Sequence, residues 1–269
     1  KDPGVSYGLT AGWSGKQTSF DINRMGQETT NGLGYCGNEM TGKFVAGNDF
    51  NYVVSHARSI ALANKYNISS EAVANGKVRM ENYQAVDLIN GLERNDGYTR
   101  EYYKTFTPAL QKRITYYALS GGKMLISGSY NGSDMQTEEE QAFLSDILKL
   151  SYEPTGSTAI TRDINPEDST VTERDSIVYT SPNVKGLGLQ FSYYNELNAQ
   201  HYAATHPEIL KPVGNYAFTA MQYDTGTSAA VAYKSTTYRS FVMGFPLECI
   251  IDERTRTSVL LGILKFLTD

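Results

Sequence analysis

Residues 123–134, KMLISGSYNGSD, decide the fold: a short apolar run breaks into a glycine-rich turn. Met124-Leu125-Ile126 reads as a buried strand. A helix pattern that closes on Gly121-Gly122 precedes it, and a helix signal at Thr137 follows it. The turn therefore belongs at the carboxyl end of a parallel strand, where an α/β fold places its chemistry.

Outward from this point, strand and helix signals alternate. Upstream, a short strand at 44–46 leads through Gly47-Asn48-Asp49 into a helix with Val53, Val54, Ala57, Ile60, Ala61 and Asn64 at helical spacing, capped by Asn48 or Asp49. A second strand, 85–89, ends at Asn90-Gly91. Thr107 caps a helix whose first position is Pro108 and whose inward residues are Leu110, Ile114 and Leu119. Downstream, Thr137 and Glu140 form a capping box that opens a helix running to Leu150, with Phe143, Leu144, Ile147 and Leu148 facing inward. This βαβαβα order predicts a flavodoxin-like, mainly parallel, doubly wound sheet with right-handed crossovers.

The pattern changes after Ser151. Residues 155–185 are polar and read as loops and short edge strands, 188–194 and 216–223 alternate as strands do, and Asp224-Thr225-Gly226 turns the chain back through 229–233. The region 155–235 is thus expected to be an antiparallel hairpin and loop insertion. Residues 238–244 are expected to re-enter the main sheet, and Asp252 to cap a closing helix with Val259, Leu260, Ile263, Leu264 and Leu267 inward. The first 42 residues hold nine glycines and no strand-like run, an irregular lead-in pinned by Trp13, Phe20 and Tyr35. Because a doubly wound sheet opens on a buried strand and none is visible, the chain is expected to begin inside a larger protein. All 269 residues are read as one domain.

Composition narrows the function classes. With 40% hydrophobic and 20% charged residues the chain is that of an ordinary globular domain. A net charge of −5 with scattered Lys and Arg leaves no basic field, so nucleic acid is not an expected partner. No apolar run approaches the roughly 18 residues of a membrane span. Cys36 and Cys249 lack metal or dithiol spacing, so no metal and no cofactor is expected, and the two are read as free thiols or one incidental bridge. The 20 tyrosines suit carbohydrate contact.

Four segments carry a resemblance: GNDFNYVVSHARSIA, YQAVDLINGLER, GGKMLISGSYNGSDM and FVMGFPLECI. The chain resembles the class I glutamine amidotransferase-like superfamily. More closely, it is similar, from about residue 2 to 267, to segments of large bacterial secreted proteins labelled N-acetylmuramoyl-L-alanine amidase or xanthan lyase. Xanthan lyases are built on a helical toroid and a sandwich, so that label is expected to belong to neighbouring domains. The resemblance implies a secreted or cell-envelope setting, periplasmic or extracellular, with adjoining domains of the same polypeptide as partners. It also implies a nucleophile elbow at residues 128–132, an oxyanion loop at Asn90-Gly91 and a His-x-Glu corner at residues 246–248. Here Tyr130 stands where the family's cysteine belongs and Pro246 where its histidine belongs, while Glu248 matches the orienting glutamate. A tyrosine without a base, with an ordinary pKa of about 10, is a poor nucleophile, so glutaminase chemistry is not expected.

Tyr130, Glu248, Asp134 and Glu93 are the candidate catalytic groups, with Asn90, Gly91, Ser127, Ser129 and Asn131 as ligand contacts. Asp134 and Glu93 at neighbouring strand ends have the makings of a two-carboxylate glycosidase site; the plainer reading is that Asp134 caps a turn and Glu93 pairs with Arg94 or Arg100. Ser127 and Ser129 are candidate nucleophiles with no assignable base. His201, His206 and Glu208 form H-x4-H-x-E in a polar connection and read mainly as surface loop. His56 reads as a packed or hydrogen-bonded helix histidine, and Glu138-Glu139-Glu140 as a solvated first turn. Two functions follow. One is a non-glutaminase module that binds a glycan or peptidoglycan ligand at the Tyr130 crevice or scaffolds its neighbours. The other is a hydrolase or lyase acting on such a ligand there.

Overall fold

The computed structural model describes residues 51–60, 65–66, 68, 70–91, 93, 104–154, 162–164, 171–173, 176–182, 184, 187–195, 203–204 and 206–269. The expected strand at 44–46, the glycine-rich lead-in, Asn48, Asp49, Cys36, Arg94, Arg100 and His201 lie outside them.

In chain order the helices and strands begin with α1 (Asn51–Ser59), α2 (Ser70–Ala74), β1 (Val86–Gly91), α3 (Pro108–Leu119), β2 (Lys123–Gly128) and α4 (Glu138–Phe143). Then come β3 (Leu150–Tyr152), β4 (Arg162–Ile164), β5 (Val171–Glu173), β6 (Ser176–Thr180), β7 (Gln190–Tyr193) and β8 (Leu210–Pro212). The chain finishes with β9 (Ala217–Tyr223), β10 (Ser228–Lys234), β11 (Arg239–Met243) and α5 (Glu253–Thr268).

The local signals act as their chemistry requires. Thr107 accepts a hydrogen bond from the Leu110 N–H ahead of Pro108, and Gly121, at φ 95°, ends the helix. Thr137 and Glu140 form the reciprocal capping box of α4. That helix does not continue to Leu150. It widens into a π-helical turn, Leu144–Leu148, stops at left-handed Lys149, and Leu150 already starts β3. Asp252 caps α5 through the Thr255 N–H.

The main sheet has the order β1-β2-β11-β10-β9-β6-β7. Among the described residues, β1/β2 and β2/β11 pair in parallel, while β11/β10, β10/β9, β9/β6 and β6/β7 are antiparallel. The flavodoxin-like, mainly parallel, doubly wound sheet expected from the sequence is therefore incorrect: the sheet is mixed and its antiparallel part is the larger. The physical reason is local. The β9–β10 hairpin does not stand apart as an insertion; β10 lies edge to edge with β11 and carries the sheet onward to β6 and β7. β3/β8 and β4/β5 make two small separate ladders.

Helices cover both faces of the parallel portion. Along β2, Leu125 joins Phe241 and Met243 against Val259, Leu260, Ile263 and Leu267 of α5, with Val53 and Ile60 of the α1 segment. Met124 and Ile126 point the other way, with Val242, onto Leu110, Ile114 and Ala118 of α3 and Phe143 of α4. This strict alternation is the strand period at work. Among the described residues, no helix is long and apolar enough to cross a membrane.

Candidate functional site

The carboxyl ends of β1, β2 and β11 converge, and polar side chains gather around them. β1 carries an irregularity: Ile89 pairs with Ser127 and Gly91 with Gly128, leaving Asn90 unpaired between them. Asn90 Nδ2 donates to Asn131 Oδ1 at 2.8 Å, and Asn131 Nδ2 donates to the carbonyls of Met243 at 2.8 Å and Gly128 at 3.2 Å. One amide pair thus ties the ends of all three parallel strands. The Ser129 N–H donates to the Gly91 carbonyl at 2.9 Å. Gly128 is required by close approach, since a Cβ there would stand 2.8 Å from Asn90 Cβ.

The turn after β2 holds a carboxyl group of its own. Glu208, buried at 3% exposure, accepts from the Gly132 N–H at 2.7 Å and the Ser133 N–H at 2.8 Å. Its own N–H donates to the Gly244 carbonyl, and its carbonyl accepts from the Tyr223 hydroxyl. Burial raises the Glu208 carboxyl to about 7 despite the lowering pull of the Ser133 and Gly132 donors, and Asp134 adds to the rise. The sequence reading of Glu208 as surface loop does not hold. His206 is exposed, as that reading has it.

Tyr130, at the turn, is 9% exposed, and its ring meets that of His206 at 5.7 Å between centroids. Asp134 Oδ2 accepts from the Thr105 N–H at 2.8 Å, and the Thr105 hydroxyl donates to the Glu93 carbonyl at 2.6 Å. Both carboxylates are buried and meet the same Thr105, Asp134 through its side chain and Glu93 through its backbone. Next to them, Lys104 Nζ donates to both oxygens of Glu140 and to the Asp134 carbonyl, each at 2.6 Å. Glu140 is thus a buried ion-pair partner, not part of a solvated turn like its exposed neighbours Glu138 and Glu139. Burial works to raise its carboxyl, but Lys104 and the Thr137 and Gln136 N–H groups outweigh it and hold the carboxyl low.

Glu248 goes elsewhere. Its Oε2 lies 2.9 Å from His56 Nε2, and His56 Nδ1 lies 2.7 Å from Asp87 Oδ2. The His56 side chain is 3% exposed, and the Glu248 side chain 4%. Burial opposes the charged imidazole, yet the fields and hydrogen bonds of Asp87 and Glu248 overcome it and raise His56 to about 10. The row Asp87–His56–Glu248 is an imidazolium clasped by two carboxylates, drawn from β1, α1 and the short 3₁₀ turn Leu247–Cys249 after β11. Asp87 pairs with Leu125 in register, so Ser127 shares its face of the sheet one pleat nearer the carboxyl end. Asp87 Oδ1, Glu248 Oε1, Asn90 Oδ1 and the hydroxyls of Ser127 and Ser129 are buried with no hydrogen-bond partner among the described residues.

Of the nine candidates, Asn90, Gly91, Ser127, Ser129 and Asn131 come together at the strand ends. Glu248 bonds His56, Asp134 and Glu93 share Thr105, and Tyr130 packs on His206. Asp87 is the residue sequence reasoning missed outright. Its signal was a lone carboxylate inside the apolar run AVDLI, facing a helix histidine. Both ring nitrogens of His56 are engaged by carboxylates, which leaves neither facing the Ser127 or Ser129 hydroxyl. Among the described residues, no cluster of three His, Cys, Asp or Glu side chains is set to hold a metal ion. Cys249 is buried, and burial raises its thiol well above the ordinary pKa.

No family model matches the chain, and no curated protein matches it. Similar solved structures include a β-galactosidase from Rahnella sp. R3, 13% identical, at TM-score 0.47 over 80% of this chain and 26% of that one. A β-galactosidase from Bacillus circulans sp. alkalophilus is 11% identical, at TM-score 0.48 over 80% and 27%. A protein described as ThuA-like, from Parabacteroides merdae, is 13% identical, at TM-score 0.44 over 84% and 87%. The chain spans about a quarter of the length of the two β-galactosidases.

Proposed function

We propose that this chain is a non-glutaminase module of a secreted or cell-envelope protein, related to the class I glutamine amidotransferase-like domains its sequence resembles. It binds a glycan or cell-wall ligand, or braces adjoining domains of the same polypeptide, without turning a substrate over. The observation that carries this reading is the Glu208 carboxylate on the Gly132 and Ser133 N–H groups. Backbone donors at an elbow serve catalysis when they are free to meet a developing oxyanion. Here the chain's own Glu208 carboxyl group already holds them. Tyr130 and Asp134 support the same reading, because Tyr130 is packed on His206 and Asp134 is committed to the Thr105 N–H.

A second reading, an enzyme acting on polysaccharide or peptidoglycan, is favoured by the Asp87–His56–Glu248 row. Asp87 would orient His56, and His56 would hold Glu248 with Oε1 available as an acid or base. One experiment separates the two. The chain is screened against glycans and muropeptides by calorimetry, and the same ligands are followed for new reducing ends or released peptide. The module reading expects binding with no product. Product formed by the native chain and absent with Glu248→Gln would overturn it in favour of the enzyme.

A further inference from the structure

A concave site lies apart from the strand ends, between the segment that leads into β1 and the outer side of α3. It is a pocket of about 220 Å³ that shares no residue with the cluster described above. Its apolar lining comes from Val73, Val78 and Met80, and Tyr116, 54% exposed, adds an aromatic ring. Arg79, Arg113 and Glu81 supply its charges. Two guanidinium groups against one carboxylate make the pocket locally basic on a chain whose net charge is −5.

The two arginines are not equivalent. Arg79 Nε lies 3.9 Å from Glu81 Oε2, a loose pair between an exposed guanidinium and a half-buried carboxylate. Arg113 makes no ion pair or hydrogen bond among the described residues. Its guanidinium lies across Gly76, which has φ +72°; a Cβ at Gly76 would overlap Arg113 Nη2. Glycine is needed there for its left-handed backbone angle, and its missing side chain leaves room for the guanidinium. The planar fork is held against backbone with its donors uncommitted, the state in which arginine takes a carboxylate through two parallel hydrogen bonds.

We propose that this pocket binds a carboxylate carried on a single six-membered ring, a uronic acid residue, with Arg113 as the partner of the carboxylate. The volume sets the size, since drug-sized ligands occupy roughly 300–1,000 Å³ and this space admits about one ring. Tyr116, Val73 and Val78 cover the ring's apolar face, and Glu81 accepts from a ring hydroxyl. A hydroxyl acceptor beside two anion donors selects a hydroxylated acid over a plain aromatic one. The proposal stands whether or not the strand ends take a ligand.

The test is calorimetric titration of the full chain with methyl glucuronide acid, methyl glucoside, benzoate and inorganic phosphate, with circular dichroism melts of every variant. The uronate is expected to bind at least tenfold more tightly than the other three. Arg113→Met is expected to weaken it tenfold or more with an unchanged melt, since Arg113 is exposed. Tyr116→Ala, also at an exposed position, should weaken it several-fold and serves as the independent variant. Absence of uronate binding, or equal affinity in Arg113→Met, overturns the site. Equal binding of benzoate overturns the sugar assignment, and equal binding of phosphate overturns the carboxylate assignment.

Discussion

Replacing His56 by Phe removes the cation from the Asp87–His56–Glu248 row and keeps a ring of similar size. Two carboxylates then face each other across an apolar side chain, with Glu248 nearly sealed from water at 4% side-chain exposure and Asp87 at 15%. Removing one member of a buried ion pair costs about 3–5 kcal/mol, because the remaining charge is left without compensation. The titration of His56 gives a second measure. Its pKa rises from 6.5 to about 10 on folding, equivalent to a ceiling on the order of 5 kcal/mol. The folded value is the higher one, so this stability is fully present below pH 6.5 and is lost as pH rises through 10. Urea denaturation of both chains at pH 6, 8 and 10 should therefore show His56→Phe less stable by about 3–5 kcal/mol at pH 6, with the gap shrinking steadily towards pH 10. Glu208 titrates in both chains and cancels from the difference. Adding Glu248→Gln to His56→Phe should restore part of the loss by removing one of the facing charges. A gap below about 1 kcal/mol at pH 6, or one that does not change with pH, would refute the charged row.

Lys104→Met should cost about 3–5 kcal/mol by stranding the buried Glu140, and the double variant with Glu140→Gln should recover most of it; chemical denaturation of the single and double variants checks this. In the native chain the Glu208 carboxyl is raised from 4.5 to about 7, so its contribution is greatest below pH 4.5 and is lost as pH rises through 7. Glu208→Gln should remove that slope between pH 4.5 and about 7, and thermal melts across the range would show it. Tyr130→Ala should lower stability by about 3 kcal/mol, as for a buried ring in a packed site, and a melt within a degree of the native chain would contradict it.

Much of the local structure was legible because its signals act over a few residues. The Thr137–Glu140 capping box, Pro108 at a helix start, the Gly121-Gly122 stop and the apolar core of β2 each need only neighbours in sequence. The Asp224-Thr225-Gly226 turn and the strands on either side of it were visible for the same reason. Which sheet that hairpin joins is a different question. Alternation tells which face of a strand is buried, not what lies along its edge, and β10 is buried on both faces. A strand of that kind reads equally well in a separate insertion and in the middle of a mixed sheet. The β10/β11 pairing closes over residues 235–238 alone; the long-range choice is the parallel pairing of β11 with β2, made among backbone groups that are the same for every sequence.

The site divides along the same line. Asn90, Gly91, Ser127, Ser129 and Asn131 were found because strand ends and glycine turns mark themselves locally, and the observed amide pair joins two such turns. Glu248 was named for its place after the last strand, yet its partner is His56, 192 residues away, and His56 in turn reaches Asp87, 31 residues on. No spacing rule connects those positions. A general physical signal remains in each: a carboxylate inside an apolar strand, a histidine on a buried helix face and a glutamate in a buried turn all carry a desolvation penalty that needs relief. Three such residues in one chain are more economically explained by one shared contact than by three separate ones. The same reasoning applies to Glu208, whose buried carboxylate found its donors in the backbone of the elbow. Unpaired burial costs in a sequence are therefore better matched with each other first, before any of them is assigned to a ligand.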